Sequence, residues 1–291
     1  MLPSRSSFLP IRGLRYHVRE WGAPEAPLVV VLHGWLDASA TFQFVADVLA
    51  RTCRVVAPDW RGFGLSEGQG DTYWLPNYLG DLDALLRALS PDAPVNLAGH
   101  SMGGNMALLY AGVRPERVRR LAALDAFGLV TAPPEEAPGR LTGWLDELAA
   151  APRTPSYPDR ATLASRFMRA NPRLEAGQAA FLAEHLGVAD GQGGIRLAAD
   201  PAHWRVNPVL YRREEAMACW RQVTAPTLWI SPENPAARLR FGVTDALHDA
   251  GKACFRTFRE VLVADAGHNL HHDQPGQVAR ILEEFFLAEQ P

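Results

Sequence analysis

The chain has 291 residues, 47% hydrophobic and 21% charged, enough apolar material for an α/β core carrying an insertion. Its net charge of −3, without a basic block, argues against nucleic acid or an anionic membrane as partner. Cys53, Cys219 and Cys254 are too few and too scattered for a disulfide framework or a CxxC site.

The N-terminal stretch "MLPSRSSFLPIRGLRYHV" lacks the apolar run of a signal peptide. No segment approaches the roughly 18 apolar residues of a membrane span, so a cytoplasmic protein is expected. "LRYHVREWG" (14–22) alternates and suits a half-exposed strand. "APLVVVLHG" (26–34) is a continuous β-branched run, as in a strand covered on both faces. "CRVVAPD" (53–59), "PVNLAGH" (94–100) and "VRRLAALDA" (118–126) read likewise, as do "APTLWISPE" (225–233) and "FREVLVADAGH" (258–268). Helical patterns lie between and after them, over 40–50, 75–89, 101–113 and 274–290, with Pro275 in the favoured first turn of the last. Such alternation predicts a mostly parallel sheet with helices on both faces.

One interval breaks the rhythm. From 128 to 224 no buried strand is expected, only short amphipathic helices over 140–152, 160–172, 176–187 and 212–223, and a glycine-rich hairpin over 189–201. The division is therefore a core made of 1–127 and 225–291, and a helical lid over 128–224.

The stretch "NLAGHSMGGNMALLYAG" (96–112) puts Ser101 at the seam between a strand and a helix. Gly99 and Gly103 permit a sharp, strained turn that exposes the hydroxyl at its apex. The first helical N–H groups then face the point where negative charge would develop. A serine nucleophile needs a base. His268, in "VLVADAGHNLHH", follows the last strand at the same sheet edge and is the candidate. His271, His272 and Asp273 do not form a strong zinc pattern, and are expected to cap and solvate the start of the final helix; no metal or other cofactor is expected.

The base needs an orienting carboxylate. Asp125, at the end of the strand before the lid, and Glu233, in the turn "SPENPAAR", are the two candidates. Asp125 is preferred, because an aspartate at a strand end reaches a histidine that a loop glutamate misses; Asp245 and Asp249 fall in a helix. The backbone amides of Met102 and Trp35 are the expected oxyanion donors, with Gly34 allowing close approach. Asp59 and Arg61, in "PDWRGFGLSEG", are expected to brace one another and the glycine loop, as scaffold. Trp74, Trp144, Trp204 and Phe127 are candidates for the cleft lining.

Together "HGW" (33–35), "DWRGFGLS" (59–66), "GHSMGG" (99–104) and "DAGH" (265–268) resemble the α/β-hydrolase superfamily over roughly 10–130 and 222–290. "DPAHWRVNPVLYRREEAMACW" with "GHNLHHDQP" resembles the serine-hydrolase-like subgroup. The resemblance implies an eight-stranded, mostly parallel sheet and a Ser–acid–His triad. The chain departs from it after the strand that follows the lid, where Asn234 and Pro235 stand in place of an aspartate. Some haloalkane dehalogenases carry the acid where Asp125 stands, but with an aspartate nucleophile; a serine at the elbow argues against dehalogenase and epoxide-hydrolase chemistry. The expected function is cofactor-independent hydrolysis of a carboxylic ester or related acyl bond in a small-molecule substrate. The alternatives are hydrolysis of a C–C bond or lactone on the same triad, and a small-molecule receptor or pseudoenzyme.

Overall fold

The structure is a computed structural model that describes residues 1–70, 72–150 and 154–288. It opens on a hairpin of β1 (Arg5–Ile11) and β2 (Leu14–Trp21). The two turn residues, Arg12 and Gly13, have φ of 48° and 82°. Two positive φ values make the type I′ turn, whose twist matches that of paired strands. β1 escapes a reading of hydrophobic pattern because Ile11 alone of its residues is buried.

Strands and helices then alternate: β3 (Leu28–Leu32), α1 (Gln43–Leu49), β4 (Arg54–Pro58), α2 (Leu75–Leu89), β5 (Val95–His100), α3 (Met102–Val113) and β6 (Val118–Leu124). The intervening segment holds α4 (Ala137–Ala149), β7 (Ser156–Tyr157), α5 (Arg160–Ala170), α6 (Ala176–Leu186), β8 (Gly187–Ala189), β9 (Ile195–Leu197) and α7 (Arg213–Trp220). The chain ends with β10 (Thr227–Pro232), α8 (Ala236–Arg240), α9 (Asp245–Lys252), β11 (Phe258–Val263), α10 (Leu270–Asp273) and α11 (Pro275–Leu287). Positions 151–152 of the helix expected over 140–152, and 289–290 of the last expected helix, lie outside the described residues.

The sheet has eight strands in the order β1-β2-β4-β3-β5-β6-β10-β11. β2 runs against both its neighbours and every other pair is parallel, so the sheet is mostly parallel, as expected. Alternation along β3 feeds both faces. Val30 and Leu32 join the core under α2, α3 and α7, while Val29 and Val31 join the one under α1 and α11. A strand covered on both sides must be apolar on both, which is why "LVVVL" is unbroken.

The intervening segment is not separate throughout. A Cβ on Gly112 of α3 would meet the Cys219 carbonyl oxygen at 2.1 Å, so α3 and α7 touch backbone to backbone. Trp220, 1% exposed, belongs to the core on that face. Buried Arg213 donates to the carbonyls of Phe127, Leu129 and Leu247, tying the start of the segment to α9. β7, β9 and β8 form a small sheet of their own. No helix among the described residues is long and apolar enough to cross a membrane.

Candidate active site

Parallel strands present their carboxyl ends at one edge, where ligands bind in open α/β sheets. β5 ends there at His100, α3 begins at Met102, and Ser101 alone makes the turn with φ 50° and ψ −116°. That conformation is strained for a residue with a Cβ and is typical of functional turns. The flanking glycines are sterically required. A Cβ on Gly99 would lie 2.4 Å from the Gly103 carbonyl, and one on Gly103 would lie 2.3 Å from the Leu32 oxygen.

The structure brings Ser101, His268 and Asp125 into one hydrogen-bonded line. Ser101 Oγ is 3.0 Å from His268 Nε2, and His268 Nδ1–H donates to Asp125 Oδ2 at 2.6 Å. Asp125 is 4% exposed, sits just past β6 with φ 42°, and is held by its own amide on the Ile230 carbonyl. Glu233 is exposed at the end of β10, its amide on the Val263 carbonyl. Asp245 and Asp249 pair with Arg238 and Lys252.

Met102 is the first residue of α3, so its N–H has no acceptor within the helix. Gly34 lies against this turn: a Cβ there would meet His100 Nδ1 at 3.0 Å and the Ser101 Cβ at 3.4 Å. Trp35 follows, half exposed at the cavity wall. His33 pins this loop. Its Nδ1–H donates to the Gly34 carbonyl, its Nε2 accepts the Trp60 amide, and its carbonyl accepts the Trp60 indole N–H. Burial pushes His33 down to about 4, keeping it neutral as this pattern requires.

Three expectations are corrected. Asp59 and Arg61 do not brace one another. Asp59 takes His17 and the amides of Ser39 and Leu65, while Arg61 forms a two-pronged pair with buried Asp81 on α2. An aspartate among backbone donors is satisfied without a guanidinium, so the arginine turns to the other buried acid. His271 and His272 do not solvate a helix start; they are 0% and 6% exposed, packed with His100, Phe42 and Phe44. Asp273 neither caps nor solvates. It accepts the Gly267 amide and the Asn171 side chain, joining the His268 loop to the intervening segment.

His100 is a further residue missed by pattern: its Nε2–H donates to the His268 carbonyl at 2.8 Å from beneath. Among the described residues, Asp37, His100 and His271 hold ligand atoms within 4.8 Å of one another. The gap of 3.9 Å from Asp37 Oδ2 to His271 Nε2 exceeds the roughly 3.3 Å between donors sharing a tetrahedral zinc. This is a buried polar cluster, in which desolvation pushes Asp37 up to about 7 and His271 well below its usual value.

A cavity of about 1050 Å³ opens over Ser101 and His268. Trp74, Trp144 and Phe127 line it together with Phe167, Leu182 and Val206; Trp204 stands against Trp35 with ring centres 6.5 Å apart.

The model of a family described as the alpha/beta hydrolase fold matches residues 27–275. A serine hydrolase-like protein of Danio rerio is 27% identical over 93% of this chain and 85% of its own. The 2-hydroxymuconate semialdehyde hydrolase of a Pseudomonas species is 37% identical over 40% of this chain and 42% of its own. Among solved structures, the thioesterase domain from the curacin biosynthetic pathway superposes with a TM-score of 0.86 at 29% identity, covering 96% of this chain and 99% of that one.

Proposed function

Because the chain belongs to the α/β-hydrolase family, we propose that it is a cofactor-independent serine hydrolase acting on a carboxylic ester or related acyl bond. The observation that carries this reading is the line Ser101–His268–Asp125 opening into a largely apolar cavity. Asp125 fixes His268 with Nδ1 protonated, which leaves the Nε2 lone pair for the Ser101 hydroxyl proton. Ser101 Oγ attacks the carbonyl carbon, and the amides of Met102 and Trp35 receive the developing oxyanion. His268 passes the proton to the leaving group, and water then releases the acid by the same route.

The wall of tryptophan, phenylalanine and leucine supports a bulky apolar acyl group over a short one. The likeness to a thioesterase domain adds thioesters to the acyl bonds worth testing. The test is turnover of medium and long aryl esters and acyl thioesters. The Ser101→Ala variant is expected to lose at least roughly 10⁴ in kcat, and unchanged turnover would sink the assignment. Similarity to a semialdehyde hydrolase over 40% of the chain favours C–C hydrolysis as the second reading. Faster turnover of β-diketones than of any ester or thioester would select it.

A further inference from the structure

A second serine, histidine and aspartate are joined in the same order where β1, β2 and the end of β4 meet. Ser6 Oγ on β1 lies 3.0 Å from His17 Nε2 on β2, and His17 Nδ1–H donates to Asp59 Oδ2 at 2.8 Å. The spacings match those of 3.0 Å and 2.6 Å around His268. His17 and Asp59 are 0% and 2% exposed, whereas Ser6 is on the surface. Phe8 lies beside the His17 ring at 5.3 Å, shielding it from water. A histidine that merely tied β2 to the Asp59 loop would need Nδ1 alone; here the far nitrogen also meets a hydroxyl.

Two further features fit chemistry at Ser6. Asp59 accepts the amides of Ser39 and Leu65 as well as His17. Burial pushes its carboxyl up, but the hydrogen bond from His17 and the neighbouring donors outweigh that and hold it below its usual value. As an acceptor it takes the Nδ1–H of His17, and the tautomer protonated there presents its Nε2 lone pair to Ser6. Arg19 pairs with Ser6 across the hairpin, donates one N–H to Ser4 Oγ, and keeps a buried Nε without an acceptor.

We propose that Ser6, His17 and Asp59 form a second acyl-accepting site, with Arg19 as its anion-stabilising group and reactive acyl donors as its substrates. The Ser6 hydroxyl proton passes to His17 Nε2 as the Ser6 Oγ–C bond forms. The bond to the leaving alcohol or phenol then breaks, and that group takes the proton from His17. The product is an ester on Ser6.

The test uses the full chain carrying Ser101→Ala, treated with a small fluorophosphonate and mapped by peptide mass spectrometry. Ser7, the next residue on an exposed strand, is the internal reference. Ser6 is expected to be labelled roughly 10²-fold faster than Ser7, the scale of general-base assistance, and His17→Gln should abolish the difference. Labelling of Ser6 no faster than Ser7 overturns the proposal. A second measurement leaves the buried pair untouched. In a Ser6→Cys variant, the pH midpoint of alkylation at that position should lie at least about one unit below the ordinary thiol value of about 8.5, because His17 and Arg19 favour the thiolate. A midpoint at or above that value overturns it as well. Neither readout depends on Ser101.

Discussion

Each side chain at the strand ends has one best partner, and the acid shows how that is decided. Asp125 reaches His268 because it sits where β6 ends, buried, with its amide fixed on β10. Glu233 sits at the neighbouring strand end but faces solvent. Asp125→Asn is therefore expected to lower kcat by about 10⁴, as a wrong imidazole tautomer does, while Glu233→Gln leaves it within a factor of two to three. Kinetics on the two purified variants check this, and the reverse pattern would move the acid to Glu233. Steric need is equally local at Gly103. A methyl group there collides with the backbone oxygens of Leu32 and His33 at 2.3 and 2.6 Å, and backbone in a buried sheet does not yield cheaply. Gly103→Ala should cost about 3 kcal/mol in urea unfolding, at the upper end of overpacking penalties.

At the scale of elements, the loop carrying His268 is fixed from two sides. Asp273 holds the Gly267 amide at 2.7 Å and the Asn171 side chain at 2.6 Å, so one carboxylate restrains both the loop and the segment after α5. Removing it frees the histidine, whereas removing Asn171 frees only the wall of the cavity. Asp273→Ala should lower kcat about ten-fold or more with a small change in KM, and Asn171→Ala should act mainly on KM. Steady-state kinetics separate the two, and identical effects would show that no such division exists. The sequence makes the strands and helices of the core legible because burial on both faces leaves unbroken apolar runs. It hides β1, whose hairpin is held by turn geometry and ladder bonds instead of by apolar pattern. The elbow and His268 are legible because glycine spacing and strand ends mark them. The partners of Asp59, Arg61, His271 and His272 are not, since a polar residue type reveals neither its burial nor which donor meets it in space.

Across the whole molecule the buried histidines set a limit in acid. His33, His203 and His272 are pushed down to about 4 by burial, and His100 and His271 lie well below their ordinary value of 6.5. In the unfolded chain each takes a proton near pH 6.5, so below that value the unfolded state binds more protons than the native one. Their stabilisation is thus complete above pH 6.5 and is lost as the pH falls toward 4, at about 1.4 kcal/mol per group per pH unit. Asp37 works in the opposite direction, its contribution fading as pH rises from 3.8 to about 7, but it is one group against five histidines. The urea midpoint should fall steeply between pH 6.5 and 4.5, and a flat profile would show that water or a proton already reaches these rings in the native state. The distance along the chain between the linked groups has a consequence in time. Ser101 and His268 are 167 positions apart, and Asp125 and His268 are 143 apart. A chain emerging from the ribosome holds its serine and its acid long before the strand that delivers the histidine has been made. The three groups can first meet when β11 docks beside β10, so the appearance of a reactive Ser101 would act as a clock for the last step of assembly.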